Sequence, residues 1–196
     1  IYFRYSGEYY QESLQYVYAE FLCYDQSTPV NGVCSEPPSK NIGPPRCPAG
    51  TGNPINTAYG GKYQHEIDVS SDSQTKLEFD RHYNSARNYA SDIGYAWSHS
   101  FSRKLTPNYL TTPTRVIVTR QHGRSYVFTR VSNEWSSDGD VTDRLEATTT
   151  GWRYSDSEGE VELYSASGTL QSITDINGNT QTLTCDTQNR LDRVDT

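Results

Sequence analysis

The sequence predicts a mainly β fold made of successive antiparallel hairpins, and three observations support this class. The aromatic content is dominated by Tyr, with 16 residues against 5 Phe, and Tyr suits half-exposed sheet surfaces. Turn-forming residue pairs recur after residue 47, with alternating apolar and polar runs between them. No pattern of helical length follows residue 47. Consecutive strands without helical crossovers must pair antiparallel, which gives a meander or a curled ribbon.

Two pairs of strand-like runs show the hairpin pattern most clearly. Residues 115–119 (RVIVT) and 125–131 (SYVFTRV) flank the turn QHGR. Residues 161–165 (VELYS) and 170–174 (LQSIT) flank the turn ASGT. Turn signals are predicted at Gly60-Gly61, Asn84-Ser85, Gly123-Arg124, Asp138-Gly139, Glu158-Gly159, Ser167-Gly168, Asn177-Gly178 and Asn189-Arg190.

The N-terminal segment is organised differently from the rest of the chain. Tyr2, Phe3 and Tyr5 predict a short strand. Residues 13–22 (SLQYVYAEFL) place apolar side chains at the spacing of an amphipathic helix. Residues 26–52 carry six prolines and show neither helical nor strand periodicity. The sequence therefore predicts a small α+β segment followed by a linker or a stapled loop.

Three of the four cysteines lie in this segment: Cys23, Cys34 and Cys47. Cys23 and Cys34 bracket a turn-like sequence, TPVNG, that brings their thiols together if the loop folds back, so their disulfide is the first prediction. Cys47 is an alternative partner for either residue, and free thiols in a reducing compartment are a further alternative. A zinc site is disfavoured because no two cysteines show the short Cys-x2–4-Cys spacing and the nearest histidine, His65, is distant.

The charge balance argues against nucleic acid as the main partner. Acidic residues outnumber basic residues 24 to 17, for a formal net charge of -7, whereas a backbone binder concentrates Lys and Arg. Arg115, Arg120, Arg124 and Arg130 fall in one predicted hairpin, where a solvated sheet face is expected. No apolar run is long enough to span a membrane. Ile1 and the absence of Met indicate an excerpt of a longer chain or a processed product.

An internal repeat appears when the C-terminal part of the chain is compared with itself at a shift of 21 residues. Each copy contains an aromatic or soft apolar residue, then a turn, then alternating aliphatic residues. A single hairpin cannot bury its own apolar face, so such units must stack or spiral. A looser copy matches 123–128 with 159–164 in spacing. The matched pairs are Tyr164 with Cys185, Gly168 with Asn189, Leu170 with Leu191, and Ile173 with Val194.

The repeat resembles the tyrosine-aspartate (YD) repeat of Rhs proteins, whose usual form is Tyr-Asp-x-x-Gly-Arg-Leu. The two copies here are degenerate, at 164–170 (YSASGTL) and 185–191 (CDTQNRL). The residues that carry the repeat are Tyr164, Gly168, Leu170, Cys185, Asp186, Arg190 and Leu191. The preceding chain resembles the domain that opens the Rhs repeat region. The motifs of this second likeness are 47–56 (CPAGTGNPIN), 61–64 (GKYQ), 66–68 (EID), 79–85 (FDRHYNS) and 93–100 (IGYAWSHS).

This resemblance implies successive antiparallel hairpins that form part of a curled β-shell. It implies three parts: residues 1–46 as the small segment, 47–150 as the opening domain, and 151–196 as the start of a longer repeat array. The implied function is a non-catalytic structural segment of a secreted polymorphic toxin of bacterial competition, whose shell encloses a C-terminal toxin. The implied partners are the rest of the shell, that toxin, and a secretion spike or adaptor such as those of type VI secretion.

Two departures from the repeat pattern affect its expected contacts. Ser165 replaces the Asp of the first copy, and Cys185 replaces the Tyr of the second. Cys185 is expected to stay unpaired, because the Tyr of a repeat points inward and a buried cysteine behaves as a small apolar residue.

The sequence predicts no catalytic, cofactor-binding or metal site. The four histidines, His65, His82, His99 and His122, show neither the His-Glu-x-x-His spacing nor a nucleophile context, so structural roles or simple exposure are expected for them. Residues 175–179 (DINGN) fail the calcium-loop pattern because the glycine comes too early and no bidentate Glu follows, which favours a hairpin turn.

Paired carboxylates are expected to be solvated turn residues. The pairs are Asp140 with Asp143 and Glu158 with Glu160. A glycosidase acid and base depend on a distance across the fold that sequence spacing does not show.

Carbohydrate binding is the alternative function. Trp97, Trp135 and Trp152, with the many Tyr, would serve a cell-surface β module as platforms for sugar faces. Aromatic pairs across strands produce the same pattern for structural reasons alone. An enzyme whose site is assembled from loops is a third alternative.

Overall fold

A computed structural model describes the chain as strands, turns and irregular segments, which confirms the predicted mainly β class. None of the residues it describes form a helix of the length and apolarity that a membrane-spanning segment requires. The chain divides into two compact units, residues 1–37 and 38–196. The disulfide candidates Cys23, Cys34 and Cys47 lie outside the described residues. The described residues are 2–5, 19–22, 42–44, 55–56, 60–71, 77–87, 90–188 and 190–196.

The described part of the first unit is a two-stranded antiparallel ribbon. Strand β1 (Tyr2–Tyr5) pairs with β2 (Ala19–Leu22), with Tyr2 opposite Leu22. The predicted strand at the start of the chain is confirmed. The predicted helix over 13–22 is wrong at its C-terminal end, because residues 19–22 pair with β1 and take their backbone hydrogen bonds from a neighbouring strand. Short apolar runs fit either periodicity, and tertiary pairing decides between them. Residues 13–18 lie outside the described part.

The second unit begins with a sheet built around one long hairpin. A two-stranded ribbon of β6 (Ala90–Ser91) and β7 (Gly94–Tyr95) lies between its third and fourth strands in the chain. The inward positions of the third strand carry Asp80, His82 and Asn84, so this sheet buries polar side chains. In spatial order the strands of the sheet are β3 (Ile55–Asn56), β4 (Gly61–Ser70), β5 (Glu78–Asn84) and β8 (Trp97–His99).

Two further sheets are meanders in which each strand pairs with its neighbour in sequence. The hairpins predicted at 115–131 and 161–174 are confirmed as β10–β11 and β15–β16. The four-stranded meander contains β9 (Lys104–Pro107), β10 (Arg115–Thr119), β11 (Ser125–Val131) and β12 (Glu134–Ser136). The six-stranded meander contains β13 (Arg144–Ala147), β14 (Gly151–Ser155), β15 (Val161–Ser165), β16 (Leu170–Thr174), β17 (Thr180–Cys185) and β18 (Leu191–Asp195).

The hydrophobic core of the second unit lies between these two meanders. Leu105 on β9 donates its backbone N–H to the carbonyl of Gly168 at 3.0 Å, which ties the turn between β15 and β16 to the opposite sheet. Trp152 and Trp135 meet edge-on at 5.2 Å within the apolar cluster. The buried members of the core are Phe101, Leu105, Val116, Val118, Phe128, Leu145, Trp152, Tyr154, Tyr164, Leu170 and Ile173.

Five hairpin turns share one five-residue geometry. In each, the backbone N–H of the first residue donates to the carbonyl of the fifth, as from Ser165 to Thr169 at 2.9 Å. Where the first residue is Asp, its carboxylate accepts the N–H groups two and four residues later. At the first YD copy the Ser165 hydroxyl accepts the Thr169 N–H at 3.1 Å. The five turns are 120–124, 156–160, 165–169, 175–179 and 186–190.

The two YD copies occupy equivalent positions in the six-stranded sheet. Tyr164 pairs with Leu170 and Cys185 pairs with Leu191, in both cases at an irregularity of the ladder. Cys185 carries a free thiol and is half-buried. Asp186 caps its turn and pairs with the Arg190 guanidinium at 2.7 Å. The 21-residue repeat of the sequence is therefore a repeat of hairpin geometry.

Candidate functional site

Three side chains that commonly bind metals meet on one face of the first sheet. His65 on β4 lies directly opposite His82 on β5, and Asp80 precedes His82 by two positions on the same face. The His65 Nε2 atom lies 2.7 Å from Asp80 Oδ2, and the two imidazole rings stack with centroids 4.8 Å apart. Each residue offers one potential metal-ligand atom, an imidazole nitrogen or a carboxylate oxygen, and these three atoms lie within 4.8 Å of one another. We refer to His65, Asp80 and His82 as the His–Asp cluster.

The buried side of the His–Asp cluster is held by hydrogen bonds. Tyr63 Oη lies 2.8 Å from His82 Nδ1, and the Asp80 backbone N–H donates to Ser100 Oγ at 2.8 Å. Asp80 is 8% exposed and His82 is 6% exposed, whereas 41% of the His65 side chain is accessible to solvent. The Asp80 Oδ1 atom is buried and has no hydrogen-bond partner in the described part of the chain. The cluster thus has a rigid inner side and one accessible imidazole.

Burial keeps His82 in its neutral form. Burial and the nearby His65 together lower the pKa of His82 to about 4, while the Asp80 charge partly opposes the effect. In the turn between β10 and β11, burial together with Arg124 and Arg120 lowers the pKa of His122 to about 3. Both imidazoles are therefore uncharged at neutral pH, and each has one ring nitrogen with an available lone pair.

A buried ion cluster lies beside the His–Asp cluster and joins the two meanders. Glu162 on β15 is 1% exposed, and its carboxylate accepts hydrogen bonds from Arg120 at 2.6 Å, from Tyr164 at 2.6 Å and from Arg103. Arg103 also pairs with Glu160. We refer to Arg103, Arg120, Glu160 and Glu162 as the Arg–Glu cluster. Because two arginines share two carboxylates, each buried charge in the cluster has an opposite partner.

The electrostatics of the Arg–Glu cluster favour the charged forms of its most buried pair. Burial disfavours ionised Glu162, but the neighbouring arginines outweigh this effect and lower its pKa. Burial likewise opposes the charge of Arg120, yet Glu162 raises the Arg120 pKa. At Glu160 burial dominates over Arg103, and the pKa of that carboxyl is raised. The Arg120 guanidinium also lies over the Tyr154 ring, 4.8 Å from its centroid, which adds a cation–π contact.

Two expectations about charged residues are wrong. Arg120 was expected on a solvated sheet face, but it is 6% exposed because Glu162 neutralises it between the meanders. Glu160 and Asp143 were expected to be solvated turn residues, but both are half-buried and bonded, to Arg103 and to the Tyr154 hydroxyl respectively. Sequence reasoning missed the two arginine contacts because each one joins residues that are far apart in the chain.

A cleft of 540 Å³ opens onto both clusters. Its charged lining residues are four carboxylates and one guanidinium, besides the two histidines of the His–Asp cluster. These charged residues are Glu78, Asp80, Arg103, Glu160 and Asp175. Carboxylates outnumber the guanidinium in this lining, which favours cationic over anionic ligands.

The three tryptophans have structural contacts. Trp152 is 5% exposed, and Trp135 packs edge-on against it. Trp97 lies against Tyr83 with ring centroids 5.4 Å apart, and the Arg81 guanidinium lies over its ring. A sugar platform needs an open ring face, and Trp152 presents none.

Comparison with known proteins gives one family likeness. A family model described as a domain of unknown function, DUF6531, matches residues 52–128. This span contains β4 and β5 with the whole His–Asp cluster. It ends within β11 at Phe128, the last buried residue of that strand. No curated protein matches the chain. The likeness places the His–Asp cluster within the matched span, and it names no activity.

Proposed function

We propose that this chain is a non-catalytic structural segment of a secreted Rhs-type polymorphic toxin, and that it forms the front wall of a β-shell around a C-terminal toxin. The observation that carries the proposal is the apolar face of the six-stranded meander. Every strand places at least one apolar side chain on that face, which also carries the buried Glu162, and these apolar side chains become less buried toward β18. In this respect the second unit behaves as one section of a longer stack of hairpins.

The repeat allows the burial of apolar side chains to be compared at equivalent positions of its two copies. Leu170 is 4% exposed, whereas its counterpart Leu191 is half-buried. Ile173 is 6% exposed, and its counterpart Val194 is again half-buried. Aliphatic residues therefore recur at equivalent positions where they are less buried. A sequence that keeps apolar residues at such positions favours a further hairpin as their cover.

The free edge of the sheet is a second reason to propose a further hairpin next to β18. Strand β18 pairs with β17 on one side and is the edge strand of the six-stranded sheet. An edge strand offers a row of backbone donors and acceptors to another strand. A following YD hairpin of the same geometry would pair with β18 and cover Leu191 and Val194 together. We therefore propose the rest of the repeat array as the first partner of this surface, with the enclosed toxin and a secretion spike or adaptor as further partners.

The test compares the chain alone with a version that carries two further YD hairpins after β18. A matched control carries the same hairpins with Ser at the positions equivalent to Leu170 and Ile173. We expect the apolar hairpins, and not the control, to raise the urea midpoint of unfolding and to reduce self-association in analytical ultracentrifugation. A monomer whose stability is the same in all three versions would contradict the proposal.

A second measurement tests the non-catalytic part of the proposal. The chain expressed alone in the bacterial cytoplasm is expected not to inhibit growth. Growth inhibition that disappears on substitution of a single His or Asp would show an active site and would contradict it.

A further inference from the structure

We propose that the His–Asp cluster binds one divalent transition-metal ion of the Zn²⁺ class, through His65, Asp80 and His82. Two imidazole nitrogens and one carboxylate oxygen form a donor set that Zn²⁺ uses in proteins. The residues come from two adjacent strands and point to one face, so the ion would clamp β4 to β5. This inference goes beyond the structural role proposed above and is independent of it.

The spacing of the three groups fits one ion. Zn²⁺ with ligand distances of about 2.0–2.2 Å holds its tetrahedral ligand atoms about 3.3 Å apart. The ligand-type atoms of the cluster lie within 4.8 Å of one another, and those of His65 and Asp80 are 2.7 Å apart. Because 41% of the His65 side chain is accessible, a rotation of this side chain would move its nitrogen from the carboxylate toward a shared ion.

A separate observation concerns the second oxygen of the Asp80 carboxylate, the one that does not contact His65. Asp80 is 8% exposed, and its Oδ1 atom is buried without a hydrogen-bond partner among the described residues. Leaving a buried carboxylate oxygen unpaired costs about 1–3 kcal/mol or more, so such atoms are uncommon and need an explanation. A cation bound by Asp80 would supply the missing partner.

The surroundings of His82 suit a metal ligand. In the tautomer in which His82 Nδ1–H donates to Tyr63 Oη at 2.8 Å, the Nε2 atom carries the free lone pair. Metal-binding histidines commonly fix their orientation by such a bond from the second ring nitrogen. The excess of carboxylates around the cleft adds attraction for a cation.

The test titrates the full chain with ZnCl2 by isothermal calorimetry and with CoCl2 by visible absorption. We expect one ion per chain and a tetrahedral cobalt spectrum without the near-ultraviolet band of thiolate ligands, which excludes the cysteines as the site. His65→Gln and Asp80→Asn should each weaken binding by about 100-fold or more. The matched control is His99→Gln, which breaks another His–carboxylate pair. His99 Nε2 lies 3.3 Å from Asp92 Oδ2, and the described residues offer no third ligand at this pair. The zinc affinity of this variant should equal that of the unaltered chain.

Folding is checked in every variant by near-ultraviolet circular dichroism. If Asp80→Asn does not fold, His65→Gln decides the matter, because 41% of the His65 side chain is accessible and its loss leaves the core intact. Two results would overturn the proposal: no stoichiometric binding of either ion by the unaltered chain, or binding that persists undiminished in His65→Gln.

Discussion

Replacing Gly168 by Ala tests how the six-stranded sheet is held against the four-stranded one. Gly168 has a φ of +86°, and its carbonyl accepts the N–H of Leu105 from the opposite sheet. A Cβ atom at this position would lie 1.9 Å from the backbone oxygen of Leu105. Gly178 occupies the same place in its own turn with a φ of +87°, but a Cβ there meets nothing within 4 Å. The two glycines therefore differ in tertiary contact and agree in backbone conformation.

The expected magnitudes follow from this difference. A left-handed conformation costs a non-glycine residue about 1–2 kcal/mol, and this cost applies to both substitutions. At Gly168 the clash involves backbone on both sides, so the turn must withdraw from β9. Leu105, which is fully buried, then loses a hydrogen bond at a cost of about 1–3 kcal/mol. We expect Gly168→Ala to lower the free energy of unfolding by about 2–5 kcal/mol, and Gly178→Ala by about 1–2 kcal/mol.

Urea denaturation at pH 7, followed by tryptophan fluorescence, measures both variants. Trp152 is a suitable reporter because it is buried in the core between the meanders. The unaltered chain provides the reference midpoint and slope. If the free energies of unfolding of the two variants differ by less than about 0.5 kcal/mol, the contact between Gly168 and Leu105 does not stabilise the packing of the two sheets.

Three further predictions concern single side chains. Glu162→Gln should lower the free energy of unfolding by about 3–5 kcal/mol, because it leaves buried guanidinium charge uncompensated. The control Glu158→Gln, in the exposed turn next to β15, should change this free energy by less than about 0.5 kcal/mol. Equal urea midpoints for the two variants would refute the prediction. His122 has a folded pKa of about 3 against an ordinary 6.5, so the unfolded chain binds its proton first and stability falls as the pH drops below 6.5. His122→Gln should remove up to about 2.7 kcal/mol of the loss between pH 6.5 and 4.5, and an unchanged pH slope in urea titrations would contradict this. Ser165→Asp should stabilise the chain by about 0.5–1.5 kcal/mol by adding the second N–H bond that Asp156 makes in its own turn, and a thermal midpoint at or below that of the unaltered chain would contradict this.

Local features of the fold were predictable from the sequence. The β10–β11 and β15–β16 hairpins follow from alternating runs around short turns, because both the strand period and the turn chemistry involve residues close together in the chain. The same reasoning identified Asn177-Gly178 as a turn, and the turn at 175–179 has the expected hairpin hydrogen bonds. The two copies of the 21-residue repeat likewise form two hairpins, whose strand pairing is irregular at the equivalent residues Tyr164 and Cys185.

The strand at 19–22 shows where local reasoning fails. Its apolar spacing fits a helix, yet pairing with β1 supplies the backbone hydrogen bonds that decide its conformation. β15 shows a second limit, since alternation defines two faces without saying which is inward. Leu163 is 42% exposed there, while its neighbour Glu162 is 1% exposed. The inward choice depends on Arg103 and Arg120, which come from another part of the chain.

Both clusters of the candidate site depend on tertiary structure. His65 and His82 are 17 positions apart, and only the register of β4 against β5 places them opposite each other with Asp80 alongside. The Arg–Glu cluster needs two sheets to approach before Arg120 meets Glu162. The sequence by itself determined the hairpins, turns and repeat, because these arise from neighbouring residues. Only the tertiary structure decided which charged side chains are buried together, because the energy of a buried charge depends on partners distant in sequence.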